Sequence, residues 1–184
     1  MIDEVAERGF AATTAAGVYQ RAGVSSRAFY ENFSDVGDCF LAAYDESVRL
    51  TEAAVRMEGR QGMRSDASDP ASIFGAVVDT YLHLLVSEPA VAQTFLLEVY
   101  GAGPRARQRR VAVHDQFVAG VREIIAPGRR LSADDEFAIE SLVDAITFRV
   151  TRSLITDDFG ELTMLRDQLV RLAVRLCPWL DSKG

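Results

Sequence analysis

Hydrophobic positions recur along most of the chain with the spacing of α-helices. Apolar side chains three and four positions apart mark one face of each segment, and stretches rich in Gly, Ser, Asp and Pro separate the segments. No run alternates apolar and polar residues between hairpin turns, so strands are not predicted. The pattern predicts an all-α protein with helices at 2–8, 14–21, 26–32, 35–58, 71–87, 89–100, 105–125, 133–156 and 161–177.

The helices fall into two groups by length. Three short helices come first and longer ones follow, which predicts an N-terminal region, 1–45, and a larger helical region, 46–184. The boundary lies inside the helix at 35–58 rather than at a flexible linker. That helix is predicted to end near Gly59, before a polar connection at 59–70.

The segment "AGVSSRAFYENF", residues 22–33, has the signals of two helices joined by a tight turn. Thr13 or Thr14 can cap the helix that precedes it, and Gly23 can take the left-handed conformation that closes that helix. Ser25 can cap the next one. Helix, glycine turn and helix form the helix-turn-helix arrangement, whose second helix enters the DNA major groove.

The side chains of this segment divide into an inner and an outer set. Phe29 and Phe33 are spaced i, i+4, and we expect them to pack inward together with Val24. Arg27 can fork onto a guanine edge or a phosphate, and neutral hydroxyls suit phosphate oxygens. The predicted DNA-binding residues are Thr14, Ser25, Ser26, Arg27, Tyr30 and Asn32. The alternative is a plain helical hairpin with a polar face.

Residues 9–35, "GFAATTAAGVYQRAGVSSRAFYENFSD", resemble the N-terminal DNA-binding region of the tetracycline-repressor (TetR) family. The positions that carry the resemblance are Gly9, Phe10, Thr14, Val18, Ala22, Gly23, Val24, Ser25, Phe29, Tyr30 and Phe33. The resemblance implies three DNA-binding helices, a ligand pocket in the remaining helices and a dimer interface on the last two. It therefore implies a ligand-responsive transcriptional regulator, usually a repressor, released from a palindromic double-stranded DNA operator by a small molecule.

The sequence departs from the family pattern in the same region. Val36 stands where a basic residue is usual, Glu4 stands where the first helix usually has an apolar residue, and Met1 maps inside that helix. Residues 1–50 carry four arginines and eight carboxylates, a balance of −4 in a chain of net charge −7. Such a protein has no general attraction for nucleic acid. The alternative function is a helical small-molecule-binding protein of the same fold with weak or lost DNA binding.

Polar residues on otherwise apolar helices of the larger region predict a ligand site. The helix at 71–87 is apolar around most of its circumference, which is typical of an enclosed helix. The predicted ligand-binding residues are Tyr81, His114, Phe117, Asp144 and Phe148. A site lined by these side chains fits an apolar or aromatic small molecule. The alternatives are a core histidine at 114 and a solvated edge at the other polar positions.

The last two helices are predicted to join a homodimer, as the resemblance implies. Each has an apolar face that can serve this purpose or meet the other face inside one chain. These positions are Ile139, Leu142, Ile146 and Val150 on the first helix, and Leu165, Leu169, Leu172 and Leu176 on the second.

Little in the sequence indicates catalysis. His83 and His114 belong to no Glu-x-x-His or His-Glu-x-x-His pattern, and no Gly-rich phosphate loop occurs, so we predict no enzyme, cofactor or metal. Cys39 and Cys177 are typical of reduced thiols in a cytoplasmic protein. No apolar run approaches the about 18 residues of a membrane helix, and no secretory signal is predicted, so we expect no membrane partner.

Overall fold

The computed structural model describes residues 1–64, 69–158 and 160–180, and within these ranges it is helical without strands. The all-α prediction is confirmed. The helices are α1 (Ile2–Arg8), α2 (Ala15–Arg21), α3 (Ser26–Asn32), α4 (Val36–Arg64), α5 (Pro70–Ser87), α6 (Pro89–Leu96), α7 (Pro104–Ile125), α8 (Ala133–Thr156) and α9 (Gly160–Leu176). Short 3₁₀ turns cover Phe10–Ala12, Glu98–Tyr100 and Pro178–Leu180.

The predicted helix bounds hold to about one residue except at two places. α6 ends at Leu96 and a separate 3₁₀ turn follows it, whereas the sequence predicted one helix over 89–100. α4 continues through Gly59 to Arg64, so the prediction that it ends near Gly59 is wrong. Part of the predicted connection at 59–70, residues 65–68, lies outside the described residues.

The glycines of α4 serve packing rather than termination. A Cβ at Gly59 would lie 3.4 Å from the side chain of Ile124 on α7, and a Cβ at Gly62 would lie 2.9 Å from Ile73 on α5. A glycine inside a helix costs about 1 kcal/mol relative to alanine, so its presence needs a compensating contact. Here the compensation is the close approach of two isoleucines, which the sequence of α4 alone cannot show.

The chain divides into two compact units. Unit 1 comprises Met1–Leu50 and Glu88–Ala112, and unit 2 comprises Thr51–Ser87 and Val113–Gly184. The first segment of unit 1 ends five residues beyond the predicted boundary at residue 45. Unit 1 also includes α6 and the start of α7, which pattern analysis assigned to the larger region.

Unit 1 is built around α1, α4 and α6. Its fully buried side chains include Val5, Phe40, Tyr44, Phe95, Leu96 and Val99. α1 packs against α6, and Gln93 Nε2 donates a hydrogen bond of 3.3 Å to the carbonyl oxygen of Ala6. After α6, a carboxylate oxygen of Glu98 accepts a bond of 2.8 Å from the N–H of Phe10. α1 and the turn that follows it are therefore held by the middle of α6 and by the 3₁₀ turn after it.

Unit 2 is organised around α9, against which both α5 and α8 pack. α5 is long and apolar enough to cross a membrane by length and composition, the only such helix among the described residues. A core helix passes the same test, and Ile73, Phe74, Val77, Val78, Leu82 and Leu85 of α5 are buried in the protein. α8 begins with a reciprocal cap in which Ser132 and Asp135 each accept the other's backbone N–H.

Most of the apolar side chains predicted for the dimer interface are buried within the single chain. On α8, Ile139, Leu142, Ile146 and Val150 are buried, and so are Leu165 and Leu169 on α9. Of the predicted positions, Leu176 on α9 is exposed, and so are large apolar side chains outside the predicted set, namely Phe137, Phe148 and Ile155 on α8 and Met164 on α9.

Candidate nucleic-acid interface

The helix-turn-helix forms from local signals that act as predicted. Thr14 Oγ1 accepts the N–H of Gly17 at 3.1 Å at the start of α2, and Ser25 Oγ accepts the N–H of Ala28 at 3.1 Å at the start of α3. Between the helices, Gly23 has φ of 67°, and the next N–H, of Val24, returns to the carbonyl of Tyr19. This left-handed glycine sets the tight angle between α2 and α3.

A small apolar cluster supports the two helices from behind. Val18, Phe29 and Cys39 are buried together, and Phe33 and Tyr19 pack against them. The Phe29 ring lies 5.5 Å from that of Phe33, as their spacing predicted. The prediction that Val24 packs inward is wrong, since its side chain is 46% exposed. Val24 precedes the first turn of α3, so the helical spacing that aligns Phe29 with Phe33 does not apply to it.

The structure leaves the candidate DNA-binding side chains exposed. Ser26, Arg27 and Tyr30 share one side of α3, and the Arg27 side chain is 87% exposed. Thr14 and Ser25 are exposed at the helix starts. Asn32 is exposed as well, but it lies roughly 200° around α3 from Tyr30 at 100° per residue. Its amide also donates to the carbonyl of Ala28 at 2.8 Å, which directs it away from the surface shared by Arg27 and Tyr30.

Each arginine in residues 1–33 is paired with a carboxylate. Arg27 Nε lies 2.7 Å from Glu31 Oε1, one turn further along α3. Arg21 bonds to Glu4 and Glu7 of α1, and Arg8 also contacts Glu4. Arg27 Nε is therefore engaged by Glu31, and this exposed ion pair competes with contacts of Arg27 to a base or a phosphate.

Glu4 is the position at which structure adds most to the sequence analysis. Its side chain is buried, and Oε2 accepts Arg21 Nε at 2.8 Å while Oε1 lies 3.1 Å from Arg8 Nε. A Cβ at Gly17 would lie 2.4 Å from Glu4 Oε1, so only glycine leaves room for the carboxylate. The signal in the sequence was the combination of a glutamate at an apolar position with a glycine inside α2.

Glu7 makes the outer part of the same ionic contact. Hydrogen bonds from Arg21 hold the pKa of the Glu7 carboxyl below its ordinary value. A carboxylate whose pKa is lowered on folding stabilises the protein above its unfolded pKa, and this contribution disappears as the pH falls through the lowered value. The contact is therefore complete at neutral pH and weakens only in acid.

The predicted ligand-binding residues lie in unit 2 as two pairs and one separate side chain. The rings of Tyr81 and Phe117 are 6.0 Å apart, and His114 Nε2 lies 2.9 Å from Asp144 Oδ1. Phe148 is 68% exposed. Of these five, Phe117 lines a cavity of about 80 Å³ between α4 and α7.

The cavity is mostly apolar, and pattern analysis identified one of its lining residues. The other apolar contributors are Val55, Gly59, Met63, Gly120, Val121 and Ile124. Glu52 lies at the same cavity, and its buried Oε1 has no hydrogen-bond partner among the described residues. Sequence analysis missed Gly59 and Gly120, since a glycine leaves space only where a neighbouring helix faces it.

Two further observations limit other chemistry. Among the described residues, no three His, Cys, Asp or Glu side chains are placed to hold a metal ion. Cys39 and Cys177 are buried free thiols, and burial raises the pKa of Cys177 to about 11.

Comparison with known proteins identifies the N-terminal region. Residues 2–43 match the family model of bacterial regulatory proteins, tetR family. The search of curated proteins found no match.

Solved structures resemble the whole chain. FadR from Bacillus halodurans, a fatty acid degradation regulator, aligns with a TM-score of 0.79 and 17% identity over 96% of this chain and 90% of that one. FadR from Bacillus subtilis, solved with stearoyl-CoA, gives 0.78 and 17% over 94% and 93%. The TetR-family regulator PfmR from Thermus thermophilus gives 0.63 and 16% over 92% and 93%. At such identities the likeness concerns the fold.

Residues 2–43 therefore resemble the helix-turn-helix DNA-binding region of these regulatory proteins, and the described chain shares the helical fold of the solved structures. The predicted resemblance to the tetracycline-repressor family is confirmed by the match over residues 2–43 and by the fold of the similar structures.

We expect Glu4→Gln to lower the free energy of unfolding by about 1–3 kcal/mol, because it removes charge-assisted hydrogen bonds from a buried position. Urea unfolding followed by circular dichroism measures the change. Glu7→Gln is the matched control, since Glu7 is exposed and exposed pairs contribute little. Equal effects of the two substitutions would contradict the role that burial gives to Glu4.

Proposed function

We propose that the protein is a repressor that binds a palindromic operator as a dimer and leaves it when a small molecule binds. The observation that carries this proposal is the exposed side of α3, where Ser26, Arg27 and Tyr30 project from a capped helix-turn-helix. Such a surface suits the major groove, where Arg27 contacts a base edge and the hydroxyls contact phosphates. We place the protein in the cytoplasm, where operator DNA is accessible.

A second candidate function has support in the charges. The arginines of residues 1–33 are all paired with carboxylates, and residues 1–50 carry a balance of −4. A small-molecule-binding protein of the same fold with weak or lost DNA binding has no need of free cations there. The two functions differ in whether the chain retains specific operator affinity at physiological salt.

The dimer is proposed through the exposed apolar side chains of α8 and α9. Phe137, Phe148 and Ile155 are 11 and 7 residues apart on α8, so they fall on one side of the helix. A row of large exposed apolar side chains marks a contact surface. Two-fold pairing would present two α3 helices to half-sites about 34–36 Å apart.

The ligand is proposed to enter the cavity between α4 and α7 of unit 2. Val55, Phe117 and Ile124 give it apolar walls, and Glu52 can accept a hydrogen bond from the ligand. Tyr81, whose ring lies 6.0 Å from that of Phe117, and His114 with Asp144 remain proposed contacts outside the lining of this cavity. At about 80 Å³ the cavity is smaller than the roughly 150 Å³ that holds benzene, so a larger ligand requires α4 and α7 to separate.

An apolar or aromatic small molecule suits this lining best. The FadR structure from Bacillus subtilis contains stearoyl-CoA, which makes fatty acyl-CoA the first ligand class to test on this chain. An acyl chain would follow the apolar wall, while the charged coenzyme remains in solvent.

The DNA-binding proposal predicts opposite effects of two neighbours on α3. Arg27→Ala should weaken operator binding by about 1–3 kcal/mol and relax specificity at one base pair, whereas Glu31→Gln should strengthen binding because Arg27 loses its competing partner. Tyr30→Phe should weaken all sequences alike. Electrophoretic shifts with the upstream DNA of the gene measure these changes, and Arg49→Ala, an exposed arginine paired with Glu46 on α4, is the control.

Specific binding that Arg27→Ala and Tyr30→Phe both leave unchanged would contradict the interface. Absence of any shift by the natural chain, together with retained ligand binding, would favour the second candidate function. We also expect a shallow dependence of affinity on salt, because few arginines are available to release counterions from phosphates.

The dimer proposal predicts that Phe148→Glu lowers the mass measured by light scattering to that of one chain at micromolar concentration, because it places a charge in an apolar contact. Val111→Glu is the control, since Val111 is also exposed but lies in unit 1. A monomeric natural chain would reject the dimer, and a dimeric Phe148→Glu variant would reject this surface.

The cavity proposal predicts that Gly120→Met weakens stearoyl-CoA binding at least tenfold, because the new side chain fills the space between α4 and α7. A Cβ at Gly120 meets no atom within 4 Å, so Gly120→Ala is the control and should retain binding. Calorimetric titration measures both. Unchanged affinity in the methionine variant would show that this ligand binds elsewhere.

A further inference from the structure

Three side chains of unit 1 each have a buried polar atom without a hydrogen-bond partner among the described residues. They are Arg110 on α7 through Nε, Tyr44 on α4 through its hydroxyl and Thr94 on α6 through Oγ1. Their exposed fractions are 6%, 0% and 1%. Buried polar groups in proteins are normally satisfied, so a group of three requires an explanation.

Two of these side chains meet on the ring of Phe95. The guanidinium carbon of Arg110 lies 5.8 Å from the Phe95 centroid, and the Tyr44 ring stacks on Phe95 at 5.2 Å with an angle of 16°. Three helices of unit 1 thus bring a cation, a phenol and an apolar ring together. The ring offers the cation some attraction, but it supplies no hydrogen-bond acceptor.

Arg110 is buried, its Nε has no hydrogen-bond partner, and no carboxylate of the described residues lies within ion-pair distance of its guanidinium. A guanidinium does not lose its proton in proteins, and a buried charge is expected to be paired. The preceding residue of α7 shows the usual arrangement, since Arg109 Nε lies 2.6 Å from Asp45 Oδ1. Arg110 has no comparable carboxylate.

All three unsatisfied groups can donate a hydrogen bond. Arg110 is a donor only, and the hydroxyls of Tyr44 and Thr94 each have a proton to give. Burial raises the pKa of the Tyr44 phenol, so that proton stays in place. The complementary group is therefore an acceptor with negative charge.

We propose that Arg110, Tyr44 and Phe95 form a binding site for a small carboxylate with an apolar body, a site in unit 1 that is separate from the cavity of unit 2. A carboxylate matches the planar fork of arginine and leaves an oxygen for the phenol. One unpaired cation calls for a single negative charge, because Arg109 is already engaged by Asp45. The rings of Phe40, Tyr44 and Phe95 favour an apolar body over a sugar or a phosphate ester.

An occupant of this site would act on the helix that holds α1. Phe95 is on α6, and Gln93 of the same helix donates to the carbonyl of Ala6. A carboxylate drawn between Arg110 and Tyr44 would shift α6 and with it α1, which supports the helix-turn-helix. This effector role rests on the proposed function, whereas the binding site itself does not.

Calorimetric titration of the full chain with benzoate, octanoate and their neutral amides tests the site. We expect at least one acid to bind at least tenfold more tightly than its amide, and the stronger acid distinguishes an aromatic acid from a fatty acid. Arg110→Met should lower that affinity at least tenfold and Tyr44→Phe several-fold. Arg107→Met, an exposed arginine on the same helix, is the control and should bind normally. No binding of either acid, or equal binding of acid and amide, would overturn the proposal.

The stability of the variants separates a binding site from a structural arginine. If Arg110 is unsatisfied in the free protein, Arg110→Met and Tyr44→Phe should melt at the same temperature as the natural chain or higher. A clearly lower melting temperature in both would show that internal water already satisfies these groups, and it would overturn the site. Carboxylate binding without any change in operator affinity would retain the site and reject its effector role.

Discussion

The ionic contact between Glu4 of α1 and Arg21 of α2 is the constraint on which the DNA-binding region depends. α1 has seven residues, too few to be stable as a helix without tertiary contacts. Val5 supplies a buried apolar anchor, while Glu4 supplies a buried charge that is compensated by Arg21 and Arg8. Gly17 leaves the space in which the carboxylate lies. Removal of one charged member of this group leaves its partner unsatisfied. Glu4, Arg8 and Arg21 therefore act together.

The same contact determines how many charges remain for DNA. Arg21 is engaged by α1, and Arg27 is engaged by Glu31 of its own helix. Arg21 thus supports the contact between α1 and α2, and the exposed hydroxyls and Tyr30 remain on the surface. Affinity for an operator then depends on the exchange of Glu31 for DNA at Arg27. This exchange favours specific contacts over a general attraction to the phosphate backbone.

Sequence pattern was sufficient for features that local chemistry determines. The caps at Thr14 and Ser25, the left-handed Gly23 and the pairing of Phe29 with Phe33 follow from residue type and spacing within a few positions. Features that depend on a partner distant in sequence were not predictable. The pattern places Gly62 in a connection because its contact with Ile73 is not visible in the sequence of α4. It marks Glu4 only as a departure from an apolar position because Arg21 lies on another helix.

The glycines of α4 also determine which movements are open to that helix within unit 2. Ile124 of α7 packs against Gly59, and Ile73 of α5 packs against Gly62. Two isoleucines from different helices therefore occupy the space that the two glycines leave on α4. Rolling α4 by about 100° would bring Glu58 or Arg60 against Ile124 and Gln61 or Met63 against Ile73. These larger side chains would then stand where the glycines leave room for the two isoleucines. The two contacts therefore oppose rotation of this part of α4 about its own axis, whereas a tilt or a translation together with the neighbouring helices preserves them.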